Sequence, residues 1–229
     1  MRLGFGPGAF FLITQFPINT LMRYHELLED SMYDLAKRRT EKEHAPIIKK
    51  AVALIKRDCQ PYLSQVKDPM KLRRGVSRDM NAHETGRPLF NKKLAHLPDR
   101  IPRGSYMSKW HPVVNDYFTL EFGLPFRNSV ITTGNQLQSS NFGTDVAVFP
   151  IGNFKFLWSP NVYDLNHVYV EWKINGSEQK LLNALKTANY QTTDLQTAIE
   201  SNHEIMIWVE EYYTLDNQVD RDLVKKLLK

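Results

Sequence analysis

The sequence predicts an α+β fold: a helical N-terminal segment followed by a mainly antiparallel β-sheet core. Three observations predict it. Up to about residue 66, apolar residues recur at three- and four-residue steps, the period of one helix face. From about residue 108, short β-rich runs separated by turn residues take over, with helical stretches between them, a mixture that suits helices packed on an antiparallel sheet. No Gly-x-Gly-x-x-Gly follows a strand and no Walker-type loop occurs, so neither standard nucleotide cradle is present. Gly4, Gly6 and Gly8 open no helix and cradle no phosphate.

Taken in order, Leu3 to Ile13 form an apolar arm interrupted by glycines and Pro7. It is too short to span a bilayer, which needs about 20 residues, and no small-residue cleavage site follows it. Leu21, Tyr24, Leu27, Leu28, Met32 and Leu35 predict a helix capped at Asn19 or Thr20. Ile47, Ile48, Ala51, Leu54 and Ile55 predict a second, with Pro46 in its first turn and Pro61 ending or kinking it. The two helices read as a hairpin, giving a 1–66 segment ahead of a 67–229 domain. Residues 67–109 form a basic, mostly loop stretch, punctuated by Gly and Pro, with eleven Lys and Arg against four Asp and Glu. A loop this long inside a compact domain is usually functional or mobile.

Ser108 to Phe122 predicts a helix with Gly123 past its end. Ser129 to Thr132, Val146 to Pro150 and Phe154 to Trp158 predict strands, the last two joined by a turn at Gly152-Asn153. Phe154, Phe156 and Trp158 share one face of theirs, Lys155 and Leu157 the other. Tyr163 to Lys173 holds a further strand. Glu178 to Ala188 and Asp194 to Ser201 are helical, Glu204 to Thr214 is one long β-rich run, and Val219 to Leu228 is a short helix.

Composition bounds the function. The 229 residues are 42% apolar and 24% charged, which excludes disorder as the main state and low-complexity architecture. The single cysteine, Cys59, excludes an intrachain disulfide framework and a multi-cysteine zinc site, and suits a reducing cytosol. Net charge is +5 and the isoelectric point is near 9.2, so a phosphate-bearing partner is favoured without choosing among nucleotide, RNA and DNA.

Three motifs carry candidate chemistry. In Leu72-Arg73-Arg74-Gly75-Val76 an arginine on a short strand precedes a glycine. A guanidinium there can fork onto a diphosphate, which lysine cannot copy. In Val130-Ile131-Thr132-Thr133-Gly134-Asn135 two hydroxyls leave a strand for a turn. In Asn202-His203-Glu204-Ile205 a glutamate opens an apolar strand just after a helix.

Arginine on an early strand, hydroxyls on a middle strand and glutamate on a late one resemble the Arg–Ser–Glu arrangement of the mono-ADP-ribosyltransferases, closest to the bacteriophage and toxin-like members. Arg74 directly precedes Gly75 and is similar to the family's arginine. Ile131-Thr132-Thr133-Gly134 is similar to its Ser-Thr-Ser strand, with threonine for serine and the choice between Thr132 and Thr133 open. Glu204 falls on its catalytic glutamate, with Asn202 where the family has Glu or Gln. Phe149-Pro150-Ile151-Gly152 and Trp158-Ser159-Pro160 resemble the intervening strand and turn of phage relatives.

The resemblance implies an NAD-consuming transferase of the ADP-ribosyltransferase fold, with NAD as substrate and no metal. Glu204 is its catalytic carboxylate, aimed at a ribose that becomes oxocarbenium-like, and a threonine hydroxyl orients it. Arg74, with Gly75 and Gly134, holds the dinucleotide, and Phe154, Phe156 or Trp158 stacks on nicotinamide. It implies a host protein or RNA as acceptor, in the host cytoplasm or carried in a virion, with no membrane. Two rival readings are a basic nucleic-acid-binding or virion component, resting on residues 67–109 with Tyr106, Trp110 and His111, and a metal-dependent hydrolase using His83, Glu84, His96 and His111, which lack paired ligand spacing.

Overall fold

The computed structural model describes residues 42–76, 89–95, 105–165 and 177–229. The Leu3–Ile13 arm, the helix around Leu21 to Leu35 with its cap, most of the strand expected at Tyr163 to Lys173, and much of the basic stretch, including His83, Glu84 and His96, lie outside the described residues. The chain divides into two compact units, Met1–Glu43 and His44–Lys229. The described fold is that of the second.

Helix α1 (42–58) buries Ile48, Ala51, Val52 and Ile55 along one face, as the three- and four-residue spacing demands. It is already helical from residue 42, so Pro46 lies one turn further in than patterning suggests. Pro61 stands in the first turn of the short α2 (Gln60–Leu63), where its missing N–H costs nothing. Both helices pack into the same apolar cluster as the sheet. The compact unit therefore takes in residues that patterning alone groups with the N-terminal segment.

Seven strands follow: β1 (Arg73–Val76), β2 (Phe90–Leu94), β3 (Val130–Thr133), β4 (Thr144–Pro150), β5 (Lys155–Trp158), β6 (Glu204–Trp208) and β7 (Glu211–Asp216). They form one sheet in the order β2-β7-β4-β1-β3-β6-β5. Every pair is antiparallel. Among the described residues the helices that follow α2 are α3 (Ser105–Phe122), α4 (Gln136–Asn141), α5 (Glu178–Thr187), α6 (Leu195–Ser201) and α7 (Arg221–Leu228), and a 3₁₀ turn spans Phe126–Asn128. The expected α+β class and antiparallel sheet are thus present.

Two pairings differ from expectation. β4 and β5 flank Gly152, whose φ is +65°, yet have three other strands between them in the sheet. The bend between them is a crossing, not a hairpin. The β-rich run from Glu204 to Thr214 is two strands, β6 and β7, broken at Val209-Glu210 and placed far apart.

The sheet is covered on both faces. One apolar cluster gathers α1, α2, α6 and α7 with Ile205, Ile207, Phe156 and Trp158. The other gathers α3 and α5 with Met206 and Leu157. β6 alternates between the two, which is why it reads as a continuous apolar run. Gly123, at φ +76°, ends α3 as expected. Among the described residues no helix is long and apolar enough to cross a membrane.

Candidate functional site

Register gathers the three motifs at the centre of the sheet. β3 lies between β1 and β6. Arg73 stands directly opposite Thr133, and Thr133 directly opposite Glu204. Neighbouring strands lie about 4.8 Å apart, and directly opposed residues project to the same face. An arginine, a threonine and a glutamate therefore form one rung across three adjacent strands.

Alternation along each strand sends the neighbouring candidates to the other face. Arg74 turns away from the rung. Its Nη1 donates to the Tyr212 hydroxyl at 3.0 Å, and its guanidinium lies 5.8 Å from that ring's centroid. The arginine in Glu204's row is thus Arg73, although Arg74 is the one adjoining the glycine. Thr132 also turns away, donating to the Ile205 carbonyl at 2.8 Å. Phe154 and Phe156 pack in the cluster on the far face. Phe156 stands opposite Ile207, and the structure does not bring either ring to Glu204.

Arg73 is 2% exposed. Its Nε donates to both oxygens of Asp145, at 2.8 and 3.1 Å, and its Nη2 also bonds Asp145 Oδ2. Met70 O accepts from Nη1 at 3.1 Å and Asn217 Oδ1 from Nη2 at 3.0 Å. Thr133 Oγ1 lies 2.8 Å from Gln138 Oε1 and 2.9 Å from the Asn202 carbonyl, and accepts from the Asn135 backbone N–H at 3.1 Å. Both threonine hydroxyls are thus committed to groups other than the Glu204 carboxylate.

The group bonded to Glu204 is one the sequence did not single out. Arg127 Nη1 donates to Glu204 Oε1 at 2.7 Å, and both side chains are at least nine-tenths buried. Arg127 sits on the 3₁₀ turn just ahead of β3. Its backbone N–H donates to Asn115 Oδ1 at 2.9 Å, and Asn115 Nδ2 donates to Asn128 Oδ1 at 2.9 Å. His111 Nε2 lies 2.7 Å from that same oxygen. His111 thereby belongs to a buried amide network between α3 and the turn. Among the described residues no three His, Cys, Asp or Glu side chains gather as metal ligands.

The strand ends around the rung are fixed by close backbone approach. A Cβ on Gly75 would meet the Ser139 carbonyl oxygen at 2.2 Å, and one on Gly134 would meet the Ile199 carbonyl oxygen at 1.8 Å. Only glycine lets α4 and α6 seat so closely on β1 and β3. That packing accounts for both glycines without a ligand. Asn202, in the left-handed region at φ 62°, caps α6 and turns the chain into β6. The Glu204 backbone N–H donates to Tyr163 O at 2.8 Å. His203 Nδ1 donates to Ser159 O at 2.8 Å.

The chemistry of the rung is that of a buried carboxylate, Glu204, ion-paired with Arg127, while Arg73, two strands away in the same row, is paired with Asp145. Of the added participants, Asp145 could be sought from Arg73's need for a carboxylate. Arg127 follows an unremarkable Leu124-Pro125-Phe126 and carried no signal of its own. Compared with protein-family models, with curated proteins and with solved structures, the chain matches none.

Proposed function

We propose that this protein is an NAD-dependent ADP-ribosyltransferase with Glu204 as its catalytic carboxylate. The observation that supports the reading is the rung Arg73–Thr133–Glu204 on three adjacent strands. The three motifs, 60 to 71 residues apart in sequence, lie on adjacent strands, with Arg73 in the row where the resemblance gives Arg74.

In the proposed reaction the bond from ribose C1′ to the nicotinamide nitrogen breaks. The electron pair leaves with nicotinamide, which becomes neutral, and positive charge develops on the ribose. Glu204 stabilises that charge electrostatically. A nucleophile on a protein or RNA acceptor then bonds to C1′ and gives its proton to solvent. Arg73 shares Glu204's face, but it is 2% exposed and its guanidinium is engaged by Asp145, Met70 O and Asn217 Oδ1, so its part is to brace the row rather than to receive the pyrophosphate.

The test is nicotinamide release from NAD by the purified protein, beside Glu204→Gln checked for fold by circular dichroism. Loss of one electrostatic stabiliser costs about 10²–10³ in turnover, and that is the expected fall. Release that is absent in the wild type, or equal in a folded variant, rejects the reading. Labelled NAD added to a bacterial lysate then shows whether the label lands on protein or RNA.

A further inference from the structure

Resting on that reading, we infer that Arg127 is the positioning residue of the catalytic carboxylate, the part that the resemblance would give to a threonine hydroxyl. Three observations carry it. Arg127 Nη1 grips Glu204 Oε1 at 2.7 Å, with both side chains buried. Thr132 and Thr133 spend their hydroxyls on Ile205 O and on Gln138 with Asn202 O. Arg127 is itself anchored, because its backbone N–H is tied to Asn115, whose amide is tied on to Asn128.

The physical consequences are two. A buried carboxylate with no cation beside it tends to take up a proton and become neutral. The Arg127 guanidinium at 2.7 Å favours the charged form of the carboxylate, the form that stabilises a developing cation. A charge-assisted bond from an anchored donor also fixes which way the carboxylate points. The anchor runs through Asn115 to α3, so the carboxylate of β6 is aimed by a helix on the second face of the sheet. Arg127 itself touches neither ribose nor nicotinamide in this scheme.

The experiment measures kcat, KM for NAD and the pH dependence of kcat for nicotinamide release. It compares the wild type, Arg127→Leu and Arg127→Lys, with melting followed in each. Misplacing a reacting group by about 1 Å costs on the order of 10²-fold. Arg127→Leu should lower kcat by that order, with KM unchanged. The acid limb of the profile should move to higher pH, since loss of the paired guanidinium favours the protonated carboxyl. Arg127→Lys restores the limb because charge is kept, but recovers only part of kcat because a flexible ammonium does not hold the carboxylate as the planar guanidinium does. If Arg127→Leu does not fold, Arg127→Lys decides by a lowered kcat at unchanged KM. A raised KM with kcat unchanged overturns the inference and makes Arg127 a binding group. Unchanged kcat and acid limb in a folded Arg127→Leu overturn it as well, leaving the transferase reading intact. A wild type that releases no nicotinamide removes both.

Discussion

Arg73 and Arg74 are neighbours of identical chemistry in opposite surroundings. Arg73 is enclosed and forked onto Asp145, tying β1 to β4, and reaches Asn217 beyond β7. Arg74 is half-buried and bonds one neutral hydroxyl. Removing Arg73 leaves the Asp145 carboxylate buried with its cation gone, a situation that costs about 3–5 kcal/mol. Removing Arg74 forfeits one neutral hydrogen bond, about 0.5–1.5 kcal/mol. Urea unfolding of Arg73→Ala and Arg74→Ala should separate in that order, and equal losses would mean that the Arg73–Asp145 clamp is not closed in solution. The sequence shows two arginines before a glycine on a short strand. Which one shares a row with Glu204 depends on strand phase, and phase is fixed by partners 60 or more residues away. No local pattern holds that information.

At the scale of elements, what was legible was mostly period, and what was not was mostly partnership. α3, α5, α6 and α7 follow from apolar spacing and caps, such as Asp194 accepting from the Thr197 backbone N–H and Asp220 from Leu223. β6 and β7 merge in the sequence because Val209-Glu210 carries neither Gly nor Pro to mark the break. β2 is hidden because Asn91, Lys92 and Lys93 make a polar edge strand, as unpaired edges often are. α4 is short and polar, and its one signal is Asn135, whose side chain accepts from the Leu137 and Gln138 backbone N–H groups. Gly134 shows how tightly such pieces are joined. A methyl there must displace the backbone carbonyl at Ile199, whose side chain is itself in the core. Overpacking of that kind costs about 1–3 kcal/mol. Gly134→Ala should therefore lower the melting temperature by several degrees in a chain of this size, and an unchanged melting temperature would mean that α6 is free to slide along β3.

For the compact unit as a whole, the single thiol is a built-in reporter. Cys59 is fully buried where α1 meets α2 and the sheet, with Phe149 O 3.8 Å from its sulfur. Burial, with a smaller contribution from nearby Asp58, pushes the thiol up to about 12. An unfolded cysteine ionises near 8.5. Because the raised group is an acid that is neutral when protonated, the folded state keeps its proton while the unfolded state loses it. Stability from this source is full below about pH 8.5 and declines as pH rises from there toward 12, by up to about 1.4 kcal/mol per pH unit. Wild type should therefore lose more stability between pH 8 and pH 10 than Cys59→Ala, measured as the difference in urea midpoint at the two pH values. Native protein at pH 8 should resist iodoacetamide and label only as fast as it opens, because the thiolate is the reactive form and the folded site suppresses it. Rapid labelling with a fully folded sheet would show that α1 leaves the core independently. In that event the helices belong with the N-terminal segment, as the sequence pattern groups them, and not with the sheet on which the Glu204 rung is built.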